Sequence, residues 1–306
     1  MKRREFIKSS STAAIAFGSS VYIGNFSKLF PKNLNFAENY DLVAVKGSEP
    51  DLMFDKAMES FGGLKTFVKK GQTVVIKPNI GWDTSPERAA NTNPKLVKRI
   101  IEHCFNAGAK EIFVFDHTCD NWTRCYANSG IEKYAKEAGA KVVSGASENY
   151  YHEVQIKSGK NLKSAKVHEL ILSSDVFINV PVLKNHGSGR ITSGMKNLMG
   201  IVWDRGYWHQ NNLHQCIADF VTFRKPDLTI VDAYNVMMRN GPRGSSVNDL
   251  ALMKSLIVSR DILAADAASA KLFGINPEDV PYINYADELK IGIKDLSKLK
   301  INRIKM

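Results

Sequence analysis

The groups that could do chemistry in this chain sit directly behind short apolar runs. Lys77, Pro78 and Asn79 follow the run at 73–76. Asp116, His117 and Thr118 follow EIFVF. Pro181, Lys184, Asn185 and His186 follow SDVFINV. Asp232 follows LTIV, and Arg260 and Asp261 follow SLIVS. If each run is a strand of a parallel sheet, these residues share the rim beyond the strand carboxyl ends, where ligands collect. Their mixture of ammonium, carboxylate and imidazole is an active-site composition, although strand-ending loops are polar in any fold.

A second signal is Thr192-Ser193-Gly194 followed by Met195-Lys196-Asn197. Thr or Ser suits a helix N-cap, and Gly lets a ligand approach the backbone. A helix starting there would aim unpaired N–H groups at an anion. Lys77, Asn79, Lys184, Thr192, Ser193, Gly194 and Asn197 are therefore the expected cradle for a carboxylate or phosphate. Lys196 is expected at its centre as a surface-facing side chain. His186, Asp232 and Lys196 are the expected groups for proton transfer and catalysis.

The remaining imidazoles raise the question of a metal. His186, His209 and His214 are a candidate divalent-metal set, but His209 and His214 are five apart and fall on different faces of one helix. No pair has the one-face spacing of a helical zinc motif. Cysteines 104, 119, 125 and 216 show no closely spaced run, so no iron–sulfur cluster is expected. Cys119 and Cys125 would pair as a disulfide only after leaving a reducing compartment. No nucleophile elbow, P-loop or dinucleotide glycine fingerprint is present, which removes the best-marked hydrolase, kinase and dehydrogenase classes.

The elements that must hold these groups alternate in type. Apolar runs of four to six residues are separated by segments of helical periodicity. The clearest is 94–107, with Pro94 at its start, Leu96, Val97, Ile100, Ile101, Cys104 and Phe105 on one stripe, and Gly108 at its end. This pattern predicts an α/β fold, a mostly parallel Rossmann-like sheet with helices on both faces, in one large domain over 38–306. Residues 146–168 are expected to form a hairpin excursion and 236–250 a loop over the sheet edge.

The chain has 306 residues and a formal charge of +11, with 44% hydrophobic and 24% charged residues, which is globular and not disordered. From residue 38 onwards 36 basic residues face 30 acidic ones, a net of +6 with no basic cluster, so no nucleic-acid partner is expected. Residues 1–37 form a separate signal or linker. Arg3-Arg4, followed by Phe6 and Lys8 and then nineteen uncharged residues, resembles a twin-arginine export signal. The uncharged run is diluted by Ser, Thr and Gly, so no transmembrane span is expected. The resemblance implies the twin-arginine translocase as partner and a periplasmic or exported location, membrane-tethered if the signal stays uncleaved. Ala37 is a candidate end of the signal.

The body of the chain resembles a bacterial and archaeal family catalogued as domain of unknown function 362. The segments that carry the resemblance are VVIKPNIG (74–81), NTNPKLV (91–97), VFINVPVLKNHGSGRITSGMKNLMGIV (176–202), LTIVDA (228–233), NGPRG (240–244) and SRDILAADA (259–267). The family implies no settled activity; some members carry ferredoxin-like four-cysteine clusters, a hint of redox chemistry from which this sequence departs. The expectation is an exported enzyme or cofactor-dependent redox protein acting on a small anionic ligand. The alternatives are a non-catalytic periplasmic binding or accessory protein and a metal-dependent hydrolase.

Overall fold

The structure is a computed structural model and describes residues 40–306. The twin-arginine segment and the boundary at residue 37 lie outside the described residues.

The first half builds a series of β–α units. β1 (Leu42–Lys46) leads into α1 (Pro50–Ser60), then β2 (Thr73–Pro78), α2 (Pro94–Ala107) and β3 (Glu111–Val114). α2 forms where the periodicity placed it. The Asn93 side chain accepts from the Lys95 amide at 3.0 Å, Pro94 fills the first turn, and Gly108 ends the helix at φ 101°. α3 (Trp122–Asn128), α4 (Ile131–Glu137) and β4 (Lys141–Val142) follow. β5 (Tyr151–Gln155) and β6 (Ser164–His168) pair antiparallel as a separate two-stranded sheet, the expected excursion within 146–168.

The second half holds α5 (Glu169–Ser173), β7 (Val176–Val180), β8 (Val182–His186), β9 (Arg190–Thr192), α6 (Gly194–Asn197), α7 (Arg205–Gln210) and α8 (Leu213–Val221). After them come β10 (Leu228–Met237), β11 (Leu250–Ser259), α9 (Ile262–Phe273), α10 (Pro281–Glu288) and β12 (Ile301–Lys305). The main sheet runs β12-β1-β11-β10-β7-β2-β3-β4, with β8 continuing beside β10. Each face carries its own core. Val75, Phe177, Val231 and Ile257 face α6, α8 and α9, whereas Val74, Ile76, Ile178 and Ile230 face α1, α2 and α4. Among the described residues no helix is long and apolar enough to cross a membrane.

The sheet is mostly parallel, with one departure that matters for the site. β11 runs antiparallel to both neighbours, β10 and β1. It returns from β10 through the connection 238–249, so the expected loop at 236–250 is the turn of a long hairpin. Arg260 and Asp261 therefore emerge at the opposite rim from the other strand-ending residues. There the Arg260 guanidinium lies 4.5 Å from the Phe67 ring centre, and the Asp261 carboxylate accepts from the Leu263 and Ala264 amides as the N-cap of α9.

Candidate functional site

A cavity of about 280 Å³ opens at the carboxyl ends of β2, β3 and β8. β2 contributes Lys77 and Asn79, the segment after β3 contributes Asp116, His117 and Cys119, and β8 contributes Lys184 and His186. Thr192 ends β9, Lys196 and Asn197 lie on α6, and Arg205 and His209 lie on α7. Lys77, Asn79, Lys184, His186, Thr192, Lys196 and Asn197 thus meet on one rim, although 120 residues separate the hydrogen-bonded pair Lys77 and Asn197.

A polar chain holds the floor. The Lys184 ammonium donates to Asn79 Oδ1 at 3.1 Å and to the Ala90 carbonyl. Asn79 Nδ2 and Lys77 Nζ both donate to Asn197 Oδ1, at 2.9 and 2.8 Å, and Lys77 also pairs with Asp116 at 2.8 Å. Asn197 in turn donates to Asn179 Oδ1 at 2.9 Å. Gly200 is required beside this ion pair: a Cβ there would lie 1.9 Å from Asp116 Oδ1 and 2.6 Å from Lys77 Nζ.

The charge on the wall is unbalanced. Lys77, Lys184, Lys196 and Arg205 face one carboxylate, Asp116, among the described residues that line the cavity. Burial lowers all three ammonium pKa values, Lys184 to about 7 and Lys196 to about 8, and neighbouring cations push the same way. Lys196 has 9% of its surface exposed, so it is buried, not surface-facing as its sequence context suggests. Among the described residues it has no hydrogen-bond or ion-pair partner, whereas Lys77 and Lys184 each have two.

Backbone contacts set two imidazole tautomers. His117 Nδ1 lies 3.0 Å from the Val202 carbonyl, which can only accept, so Nδ1 carries the proton and Nε2 is the bare nitrogen. Its ring stacks on Trp203 at 4.8 Å. His186 Nδ1 accepts from the Gly189 amide at 3.1 Å, which leaves the proton on Nε2 of the neutral ring. Burial and the Lys196 and Lys184 charges push the His186 pKa down to about 3, and burial lowers His117 as well.

Several sequence expectations fail on geometry. The N–H groups at the start of α6 are not free. Asp266, from α9, accepts from the Gly194 amide at 2.5 Å and the Met195 amide at 3.0 Å. The helix start thus has a protein carboxyl group as its acceptor, one whose pKa burial raises to about 7, and Gly194 packs tightly against it: an added Cβ would lie 2.8 Å from Asp266 Oδ1. Ser193 does not cap α6; its hydroxyl donates to Ser269 Oγ at 2.8 Å. Neither Ser193 nor Gly194 lines the cavity.

Asp232 lies elsewhere. β10 continues past it to Met237, and alternation turns Asp232 to the α2 face, opposite to α6. Its carboxylate accepts from the Asn93 amide at 2.8 Å and the Tyr234 amide at 3.1 Å, and burial raises its pKa to about 6. The three histidines do not assemble as metal ligands either. His186 and His209 line the cavity, but the His214 ring stacks on Tyr282 at 6.0 Å, and among the described residues no group of three or more His, Cys, Asp or Glu side chains is placed to hold a metal ion.

Arg205 is the cavity residue that sequence reasoning passed over. It is anchored by donating to the His117 carbonyl at 2.6 Å and to the Thr118 carbonyl. Nothing in its local sequence marks it, because its partners are backbone atoms some 88 residues away.

Comparison with known proteins agrees with the sequence resemblance. A thylakoid-associated protein of Synechocystis sp. is 26% identical over 244 residues, covering 77% of this chain and 73% of that protein. Among solved structures, the lactate racemase apoprotein from Thermoanaerobacterium thermosaccharolyticum has a TM-score of 0.44 at 13% identity, over 70% of this chain and 53% of that one. A structural-genomics protein from Thermotoga maritima has a TM-score of 0.47 at 11% identity, over 79% of this chain and 60% of that one. The chain spans little more than half the length of these two structures, and neither likeness is close enough to bear on the chemistry of the site. Residues 74–271, from β2 into α9 and including every residue that lines the cavity, match the family described as domain of unknown function (DUF362), and the chain belongs to that family.

Proposed function

We propose that the protein binds a small carboxylate or phosphate in the lysine-lined cavity and acts on it by acid–base chemistry. The observation that carries this reading is Lys196, a largely buried side chain that lines the cavity, whose ammonium has no partner among the described residues and shares a wall with Lys77, Lys184 and Arg205. A buried cation without a partner is costly, and an anionic ligand supplies the missing counter-charge. His186 offers Nε2–H as donor and His117 offers a bare Nε2 as acceptor, a pair suited to moving a proton on the ligand. Asn79, Asn197 and Thr192 would orient the anion.

The test is thermal unfolding with oxalate or inorganic phosphate at pH 7. Both anions are expected to raise the Tm of the wild type at constant ionic strength. The Lys196→Met variant is expected to lose that response. An equal rise in both proteins would overturn the assignment.

The same reading places the protein outside the cytoplasm, on the strength of Arg3-Arg4 with Phe6 and Lys8. The cyanobacterial relative is described as thylakoid-associated, which is compatible with delivery to a membrane-bounded compartment.

A further inference from the structure

We propose that Lys196 is an amine nucleophile, which forms an imine with a small anionic carbonyl compound, an aldehyde or 2-oxo acid bearing a carboxylate or phosphate. The inference rests on the anion-site reading above and adds the covalent step.

The three cavity lysines differ in what occupies their nitrogens. Lys77 is held by Asp116 and Asn197, and Lys184 by Asn79 and the Ala90 carbonyl. Attack by either nitrogen would have to break those contacts, even though burial lowers the Lys184 pKa further, to about 7. Lys196 alone of the three has none among the described residues, so its nitrogen loses no hydrogen bond on giving up a proton. Burial and the neighbouring cations oppose its charge, while Cys119 favours it. Lys77, Lys184 and Arg205 come from β2, β8 and α7, and the neutral rings of His186 and His209 come from β8 and α7. Asp116 is tied to Lys77, and Cys119 lies on the same wall. A desolvated lysine beside other cations is the arrangement that makes an amine nucleophilic near neutral pH. With its pKa at about 8, about one Lys196 in ten is free amine at pH 7.

The step balances without a further reagent. The Lys196 lone pair attacks the carbonyl carbon, a C–N bond forms, and the C=O π pair moves to oxygen, which takes a proton. The nitrogen sheds one proton, the hydroxyl takes a second proton and leaves as water, the C=N bond closes, and the iminium nitrogen gives up its remaining proton. Amine and carbonyl give imine and water, with no change of oxidation state. The remaining cations hold the ligand's anionic group, the bare Nε2 of His117 takes the proton that nitrogen sheds and returns it to the departing hydroxyl, and His186 Nε2–H donates a hydrogen bond to the carbonyl oxygen.

The test uses the full chain with glyoxylate and sodium cyanoborohydride at pH 7.5, followed by peptide mass mapping. Oxalate, which forms no imine, is run in parallel as a thermal-shift ligand. The expected result is a reduced adduct on Lys196 at least tenfold above that on exposed lysines. It is expected to be suppressed by oxalate and absent from Lys196→Met. Stabilisation by oxalate with Lys196 labelled no more than exposed lysines would overturn the imine and leave the anion site standing. No stabilisation and no adduct would overturn both. An adduct on Lys184 in the wild type would refute the assignment of the nucleophile.

Discussion

At the scale of single residues, the cavity is built around ions that its own protein groups do not fully neutralise. The folded-state pKa of Lys196, about 8, lies below the ordinary lysine value of about 10.4. A lowered lysine pKa means the folded state disfavours the charged form, so the cost is full below pH 8 and disappears as pH rises from about 8 to about 10. The shift corresponds to about 3 kcal/mol at pH 7. Lys196→Met, which keeps an unbranched side chain as far as Cε and removes the charged nitrogen, is expected to raise unfolding stability in urea at pH 7 by about that amount, and by much less at pH 10. Equal stabilities at pH 7 would show that the ammonium is not desolvated. Gly200→Ala tests the neighbouring pair. Its Cβ would collide with Asp116 Oδ1, so separation of Lys77 from Asp116 is expected to cost about 2–4 kcal/mol in a urea titration. A variant as stable as the wild type would contradict the packing described. Lys77 and Lys184 were legible in the sequence as residues that follow strands, and Lys196 as part of a helix start. The burial and isolation of Lys196 were not, because they depend on Arg205, His209 and β8 closing over a helix of four residues.

At the scale of elements, the start of α6 shows how a correct local reading gives a wrong site. Ser193-Gly194 does open a helix, and its N–H groups do seek an anion. The acceptor is Asp266, from a helix more than seventy residues later, which no local pattern announces. Removing it leaves two buried donors without acceptors. Asp266→Ala is expected to destabilise the fold by about 3 kcal/mol and to slacken Lys196 through α6, so that both the urea midpoint and the response to oxalate fall. An unchanged midpoint would mean that the α6 amides find other partners. β10 and β11 teach the same lesson. LTIVD and SLIVS read alike as buried strands, yet one is parallel and the other antiparallel. Direction is set by the connection at 238–249, not by the apolar run itself. That reversal removes Arg260 and Asp261 from the site, and the strand's pleat removes Asp232.

At the scale of the whole molecule, the parallel β–α repeat was legible because short β-branched apolar runs alternate with longer segments of helical periodicity. The convergence of Lys77, Asp116, His117, Lys184 and His186 then follows from topology, since parallel strands deliver their carboxyl ends to one rim. The segment before residue 40 carries a further expectation. Replacing Arg3 and Arg4 by lysine is expected to retain the protein in the cytoplasm when cell fractions are blotted, whereas unchanged export would refute the twin-arginine route.

The central claim is that an anion completes the charge balance at Lys196, and proton uptake measures this most directly. An anion beside a lysine of pKa about 8 raises that pKa, so binding at pH 8.5 draws a proton from solution. Calorimetric titration of oxalate in two buffers of different ionisation enthalpy reads that uptake. The account predicts net proton uptake by the wild type at pH 8.5, less of it at pH 6.5, and markedly less at pH 8.5 in Lys196→Met. Oxalate binding with no uptake at pH 8.5, or with the same uptake in Lys196→Met, would contradict it.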